Sequence, residues 1–244
     1  MKNHLLKVAE NVRIAENVWK MVLESPELDE QKPGQFVNIR LDGLYLRRPI
    51  SVYDAGLGRL TIIYKTVGHG TRQMAGLQSG EMLDVLTGLG NGYDLSKSYD
   101  RPLLLGGGVG VPPLYLLSKQ LTAQGKKVTV VLGFNTNAEV FGEAEFRALG
   151  CGVTVTTADG SYGTKGFVTD ALPEDYSYFY TCGPEPMLKA VYRATKTSGQ
   201  FSFEERMGCG FGACMGCSCK TITGYKRICR EGPVLEKEEI VWDA

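Results

Sequence analysis

Cys209, Cys214, Cys217 and Cys229 lie in the stretch ERMGCGFGACMGCSCKTITGYKRICREGPV, which is too short and too glycine-rich to bury a hydrophobic core of its own. A segment of this kind takes its shape from a metal centre. The first three cysteines read C-x4-C-x2-C, the plant-type spacing for a [2Fe–2S] cluster, and a fourth follows. Gly208, Gly210, Gly212 and Gly216 are interleaved among them, so the backbone can curl its N–H groups toward the sulfurs. Zinc also takes four thiolates, but in C-x2-C pairs; Cys214 and Cys217 make one such pair, whereas Cys209 and Cys229 do not make the other. A disulfide set fits less well, because the chain has 7 cysteines, an odd number, and nothing else suggests secretion. Cys219 reads as a spare thiol beside the cage that could substitute as a ligand. A cluster carries one electron at a time, so the expectation is an electron-transfer protein.

The remaining residues must supply the core. A chain of 244 residues with 43% apolar residues has room for two modest domains and a small appendage. Lys+Arg and Asp+Glu both total 27, and no basic block marks a nucleic-acid footprint. The start, MKNHLLKVAENVRIAENV, is interrupted by charges every few residues and lacks a signal-peptide apolar core. No stretch reaches the apolar length of a membrane span. The expectation is a soluble, cytoplasmic protein, and a thiol-bound cluster agrees with a reducing compartment.

Residues 1–98 read as short strands between Gly and Pro turns, among them Gln35–Leu41, Leu60–Val67 and Glu81–Leu86, with one short helix at Thr71–Gln78. This predicts a small β-barrel or sandwich. Residues 99–200 alternate instead. Strands at Pro102–Leu105, Lys127–Phe134, Val153–Thr157 and Tyr178–Thr181 are interleaved with helices at Pro112–Ala123, Glu143–Leu149 and Pro186–Thr195. Alternation of this kind predicts an α/β domain with a parallel sheet. Residues 201–244 form the cluster-binding segment.

The join LLLGGGVGVPPLYLL places Gly106, Gly107, Gly108 and Gly110 after an apolar strand, with Val111, Pro112 and Pro113 where a helix begins. A glycine turn opening a helix offers free N–H groups to a pyrophosphate, although the spacing departs from G-x-G-x-x-G. It can equally be a purely structural turn. Arg48-Pro49-Ile50-Ser51 opens a strand, and Gly68-His69-Gly70-Thr71 precedes the short helix; an arginine and a helix start can each hold phosphate. Cys182-Gly183-Pro184-Glu185-Pro186-Met187 closes a strand at the sheet edge where open α/β folds bind ligands.

Together these pieces resemble the ferredoxin–NADP reductase superfamily over nearly the whole chain. RPIS is similar to its flavin motif, GHGT to its pyrophosphate-binding helix start and CGPEPM to its nicotinamide motif. Ile50 stands where many members carry an aromatic residue. The cysteine segment narrows the resemblance to the electron-transfer subunits of class 1B dihydroorotate dehydrogenases. That implies a β-barrel FAD domain (1–98), an α/β NAD domain (99–200) and a [2Fe–2S] segment (201–244). It further implies NAD as electron acceptor and a place in pyrimidine biosynthesis. The implied partner is an FMN-containing catalytic subunit that oxidises dihydroorotate, in a heterotetramer of two plus two. For FAD the resemblance points to Arg48, Pro49, Ile50, Ser51, Ile63, Tyr64 (as a stacking ring), Lys65, Gly70 and Thr71. For NAD it points to Gly106, Gly107, Gly108, Gly110, Val111, Pro112, Cys182, Gly183, Pro184 and Met187, with Cys182 near hydride transfer.

The chain is too short to add the catalytic barrel of about 250 residues to a flavin domain. Gly133–Glu139 and Ala158–Gly163 hold no arginine cluster for a 2′-phosphate, which favours NAD over NADP. Three other readings stand beside this one: a flavin/cluster subunit of a bifurcating ferredoxin–NADP reductase or a sulfide dehydrogenase, an iron–sulfur redox sensor, and a zinc-stabilised interaction module.

Overall fold

Strand β1 (Lys2–Ala15) turns His4, Leu6 and Val8 inward while Lys2 and Lys7 stay in solvent, so the charges that interrupt the N-terminal pattern are its outer face. The computed structural model describes residues 1–242. The first half of β1 pairs with β6 (Met82–Leu89), and its second half with β2 (Val18–Glu24). Register shifts between Val8 and Glu10 and between Arg13 and Ala15 bend the strand, which lets it serve both neighbours. With β3 (Phe36–Ile39), β4 (Arg48–Gly56) and β5 (Arg59–Lys65) it closes an antiparallel barrel in the order β1-β2-β5-β4-β3-β6. Helix α1 (His69–Ala75) lies two residues upstream of its predicted start and sends Met74 into the barrel core.

Beyond the barrel come β7 (Pro102–Gly107), α2 (Pro113–Ala123), β8 (Thr129–Phe134), α3 (Glu143–Ala148) and β9 (Gly152–Thr157). They are followed by β10 (Thr164–Lys165), β11 (Tyr178–Cys182), α4 (Glu185–Ala194) and β12 (Gly199–Ser202). β7 and β11 are buried at every position, as expected for parallel strands covered on both faces. The tail adds a hairpin, β13 (Ser218–Thr221) and β14 (Gly224–Arg227), and a last strand, β15 (Val234–Glu236). The sheet runs β10-β9-β8-β7-β11-β12-β15 and is parallel except for the β12–β15 pair.

The cysteine segment therefore does not stand apart from the sheet. β15 extends it, and Cys217, Ile228, Cys229 and Leu235 pack with Phe179, Leu188 and Phe201. Lys237 Nζ donates to the carbonyls of Thr195 (2.6 Å) and Thr197 (3.3 Å) just past the end of α4. The tail obtains its core by borrowing one; residues 243–244 of the 201–244 segment lie outside those described.

Barrel and sheet are joined by α2. Tyr115 stacks on Tyr53 of β4 with ring centroids 4.3 Å apart, Lys119 pairs with Asp54 at 2.9 Å, and Leu116 enters the barrel's apolar cluster. Among the described residues no helix is long and apolar enough to cross a membrane.

Candidate functional site

The chain leaves β7 toward β8 and leaves β11 toward β12, so the carboxyl ends of β7 and β11 flank a topological switch point, where α/β sheets bind ligands. Gly106 and Cys182 face each other across this pair. The glycine loop then passes so close to the next one that a Cβ on Gly110 would lie 2.2 Å from the Cys182 carbonyl oxygen and 2.5 Å from the Gly183 nitrogen. Only glycine allows that approach. Beside it opens a cavity of ≈ 470 Å³. Of the residues predicted for NAD, Gly107, Gly108, Pro184 and Met187 line it. Gly106, Gly110, Val111, Pro112, Cys182 and Gly183 are not on its surface; Gly106, Gly110 and Gly183 build the wall behind it.

Sequence reasoning missed the opposite wall, including Phe134, Asn135, Glu139, Thr156 and Phe167. Among the described residues Glu139 is the one charged side chain lining the cavity, and it pairs with Lys65 of β5 at 2.6 Å. Burial would raise its pKa, but the Lys65 ammonium and the Asn135 donors hold it below the ordinary carboxylate value. Cys182 is fully buried, which pushes its thiol far up, and Glu204 adds to the effect. Burial of this kind favours the protonated thiol over the nucleophilic thiolate.

A second groove, of ≈ 280 Å³, runs along the barrel. Arg48, Pro49, Ile50, Ser51, Ile63, Tyr64, Lys65 and Thr71 all line it. Gly70 sits directly under Arg48, whose Nε would be 2.2 Å from a Cβ at that position. The Thr71 hydroxyl accepts from the N–H groups of Val67 (3.0 Å) and Gly68 (3.2 Å) and so shapes the loop entering α1. Tyr64 departs from its expected role. Its ring is 2% exposed inside the barrel and its hydroxyl donates to Asn11 at 2.9 Å, so it offers no open face for stacking. Lys65 crosses to Glu139 rather than staying free along the groove. The far wall, unpredicted from sequence, comes from Val109 of the glycine loop and from Ser202–Glu205, Met207 and Pro233.

The four thiols gather next to Met207, and none is in a disulfide. Cys209 contacts Cys214, and Cys217 contacts Cys229. Cys217 and Cys229 are buried, whereas Cys209 and Cys214 are half-buried. The Cys209 sulfur accepts from the N–H groups of Ala213 (3.2 Å) and Cys214 (3.4 Å). Burial opposes ionisation there, but these donors lower its pKa to about 6. Burial and the contact with Cys217 raise Cys229 to about 12. Among the described residues no three His, Cys, Asp or Glu side chains converge on a single metal position. The thiols are drawn together two by two, as a dinuclear cluster with two thiolates per iron requires.

Gly210 has φ +77°, and a Cβ there would be 2.3 Å from Asn38 Nδ2, which donates to the Cys209 carbonyl at 3.2 Å. The loop is thereby docked on β3. The Cys219 sulfur is 3.6 Å from the Lys220 carbonyl, and burial together with the charges of Glu205 and Glu185 pushes its thiol up. The residues present fit the cofactor set: a barrel groove with an arginine at its rim, a cavity at the sheet switch point, and paired thiols with backbone donors aimed at sulfur.

Residues 204–241 match the family profile described as the iron–sulfur cluster binding domain of dihydroorotate dehydrogenase B, and residues 104–193 match the oxidoreductase NAD-binding domain. The chain is 47% identical over 251 residues to the dihydroorotate dehydrogenase B (NAD(+)) electron transfer subunit of Fusobacterium nucleatum, covering 96% of each chain. It is 43% identical over 256 residues to that of Shouchella clausii, covering 98% of each. Among solved structures, an NADH-dependent reduced ferredoxin–NADP oxidoreductase superposes with a TM-score of 0.89 at 33% identity, over 98% of this chain and 90% of that one. The Amycolatopsis cytochrome P450 reductase GcoB superposes at 0.70 with 22% identity, over 79% of this chain and 65% of that one, a likeness of fold alone. The pairing of thiols, the two adjoining cavities and the near full-length matches agree, and this chain belongs to the family of electron transfer subunits of NAD-dependent dihydroorotate dehydrogenase B.

Proposed function

We infer that this chain relays the electrons of dihydroorotate oxidation, carried out in a catalytic partner subunit, to NAD+ through a [2Fe–2S] cluster and an FAD that it holds itself. One observation carries the reading: the barrel groove is walled by Val109 of the glycine loop and also by Met207, two residues before Cys209. A flavin there lies between the thiols and the nicotinamide cavity. When bound, the cluster would carry electrons singly and the flavin would exchange them in pairs with the nicotinamide. Dihydroorotate gives up two electrons and two protons, and NAD+ takes two electrons and one proton.

The residues supply binding and position. Residues 1–98 hold FAD, 99–200 hold NAD, and 201–244 hold the cluster. Arg48 grips the flavin pyrophosphate above Gly70; Pro49, Ile50, Ser51 and Ile63 form the floor; Thr71 keeps the α1 loop in shape. Gly107, Gly108, Pro184 and Met187 seat the nicotinamide half of NAD, and the negative charge that lines that cavity, Glu139, is ill suited to a 2′-phosphate. Cys209 and Cys214 would bind one iron, Cys217 and Cys229 the other. The catalytic partner carries FMN, the assembly is two plus two, and the complex works in the cytoplasm in UMP synthesis.

Arg48→Ala removes a charge-assisted contact worth about 1.5–3 kcal/mol, so FAD affinity falls by roughly one to two orders of magnitude while iron content is unchanged. Flavin retained after dialysis reports the result. Reconstitution tests the whole reading. Alone, the loaded chain passes electrons from NADH to artificial acceptors and does not oxidise dihydroorotate. Adding the FMN subunit creates dihydroorotate:NAD+ activity, and stripping the cluster removes it while sparing the NADH–dye reaction. Equal activity of the pair without iron would refute the relay.

A further inference from the structure

Between the two halves of the thiol cage stands a side chain that no motif in the sequence singled out. Arg227, the last residue of β14, donates through its guanidinium to the Gly212 carbonyl at 2.6 Å. The peptide unit that begins with that carbonyl ends in the Ala213 N–H, and this N–H donates to Cys209 Sγ at 3.2 Å. One peptide plane thus has the guanidinium on its oxygen and a thiol sulfur on its nitrogen. On its other edge the guanidinium grips Glu231, with Nε 3.0 Å from Oε2, and the backbone N–H of Arg227 donates to the same oxygen at 2.9 Å. The carbonyl of Arg227 accepts from the N–H groups of Arg230 and Glu231, both at 2.9 Å, closing the turn that carries Cys229. The neighbouring Ile228 N–H donates to the Cys217 carbonyl at 3.0 Å.

We propose that Arg227 is the positioning residue of the cage, fixing and polarising the Gly212–Ala213 peptide that donates to Cys209, and that Glu231 sets how much of its charge the cluster feels. The inference rests on the four-cysteine ligand assignment and deepens it. A guanidinium is permanently charged and planar, so it holds a carbonyl in direction as well as distance. Drawing electron density toward the oxygen makes the N–H of the same peptide a better donor, because linked hydrogen bonds strengthen one another. A donor to a ligand sulfur favours the more negative, reduced cluster, and partners of this outer kind also hold metal affinity. The fork geometry, with one face on Gly212 and one on Glu231, is beyond a lysine.

The test uses the full chain loaded with FAD and cluster, with the midpoint potential read by EPR-monitored titration and iron release to a chelator read optically. Arg227→Met is expected to lower the midpoint and raise the rate of iron release by about tenfold or more. Arg227→Lys keeps the charge without the fork and recovers only part of the midpoint. Glu231→Gln leaves the guanidinium uncompensated and is expected to raise the midpoint with iron content intact, a shift that mere loosening of the loop would not produce. An unchanged or raised midpoint in Arg227→Met, or an unchanged or lowered one in Glu231→Gln, overturns the proposal. If Arg227→Met retains no cluster, the sign of the shift in Glu231→Gln decides alone. Wild-type chain without a [2Fe–2S] signal would overturn the ligand assignment itself, and this proposal with it.

Discussion

Cys209→Ser, Cys214→Ser, Cys217→Ser and Cys229→Ser each abolish the cluster or leave it degraded, while Cys219→Ser leaves it intact. Oxygen is a harder and poorer ligand for iron than thiolate, and each of the four variants strips one of the two sulfurs from one half of the paired arrangement. The Cys219 sulfur lies 3.6 Å from the Lys220 carbonyl, and the charges of Glu205 and Glu185 act on it rather than another thiol. Iron and sulfide analysis with EPR of the reduced protein checks all five. The buried pair should also cost folding, since Cys217 and Cys229 sit in the apolar cluster with Phe179 and Phe201, so loss of their metal loosens the tail. An intact cluster in Cys229→Ser together with its loss in Cys219→Ser would reassign the fourth ligand.

Gly110→Val costs NADH–acceptor turnover about a hundredfold or more. Its Cβ would meet the Cys182 carbonyl at 2.2 Å and the Gly183 nitrogen at 2.5 Å, both backbone atoms at the end of β11 that no rotamer can move away. The ends of β7 and β11 are pushed apart, and displacement of about 1 Å at a reacting site is enough for a loss of that order. Overpacking of this kind also destabilises by about 1–3 kcal/mol, visible as a lower Tm. Gly152→Ala is the matched control, since a Cβ there meets nothing closer than 3.9 Å. Cluster content should survive in Gly110→Val, because the strained contact lies at the Cys182 carbonyl and the Gly183 nitrogen and not in the thiol loop. Normal turnover in this variant would show that the two loops need not meet.

Short-range chemistry was legible without coordinates. The cysteine spacing, the glycine loop between β7 and α2, the arginine opening β4 and the alternation of strands and helices are each written within a few tens of residues, where periodicity and turn chemistry act directly. Among the barrel strands, β1 and β2 escaped the patterning. Their apolar residues alternate with charges, and β1 divides its length between two partners, which a reading of apolar runs does not resolve. Tyr64 looked like a stacking ring because an aromatic residue in a flavin motif suggests one. Its position on the inner face of β5, set by a period of two, put it in the barrel core instead.

What only the tertiary structure decided is how these pieces meet. β15 pairs with β12, Met207 and Val109 come to wall one groove, Lys65 reaches Glu139 across the domains, and Asn38 of the barrel holds the Cys209 loop. The last three bring together residues widely separated along the chain, and in each case the local residue types would have permitted other partners. The sequence by itself determined which chemistry the chain can host, because ligand identity and spacing are local. The order in which electrons can pass between those sites was decided by the folding back of the tail onto the sheet, because that order depends on distances that only a closed barrel and a completed sheet define.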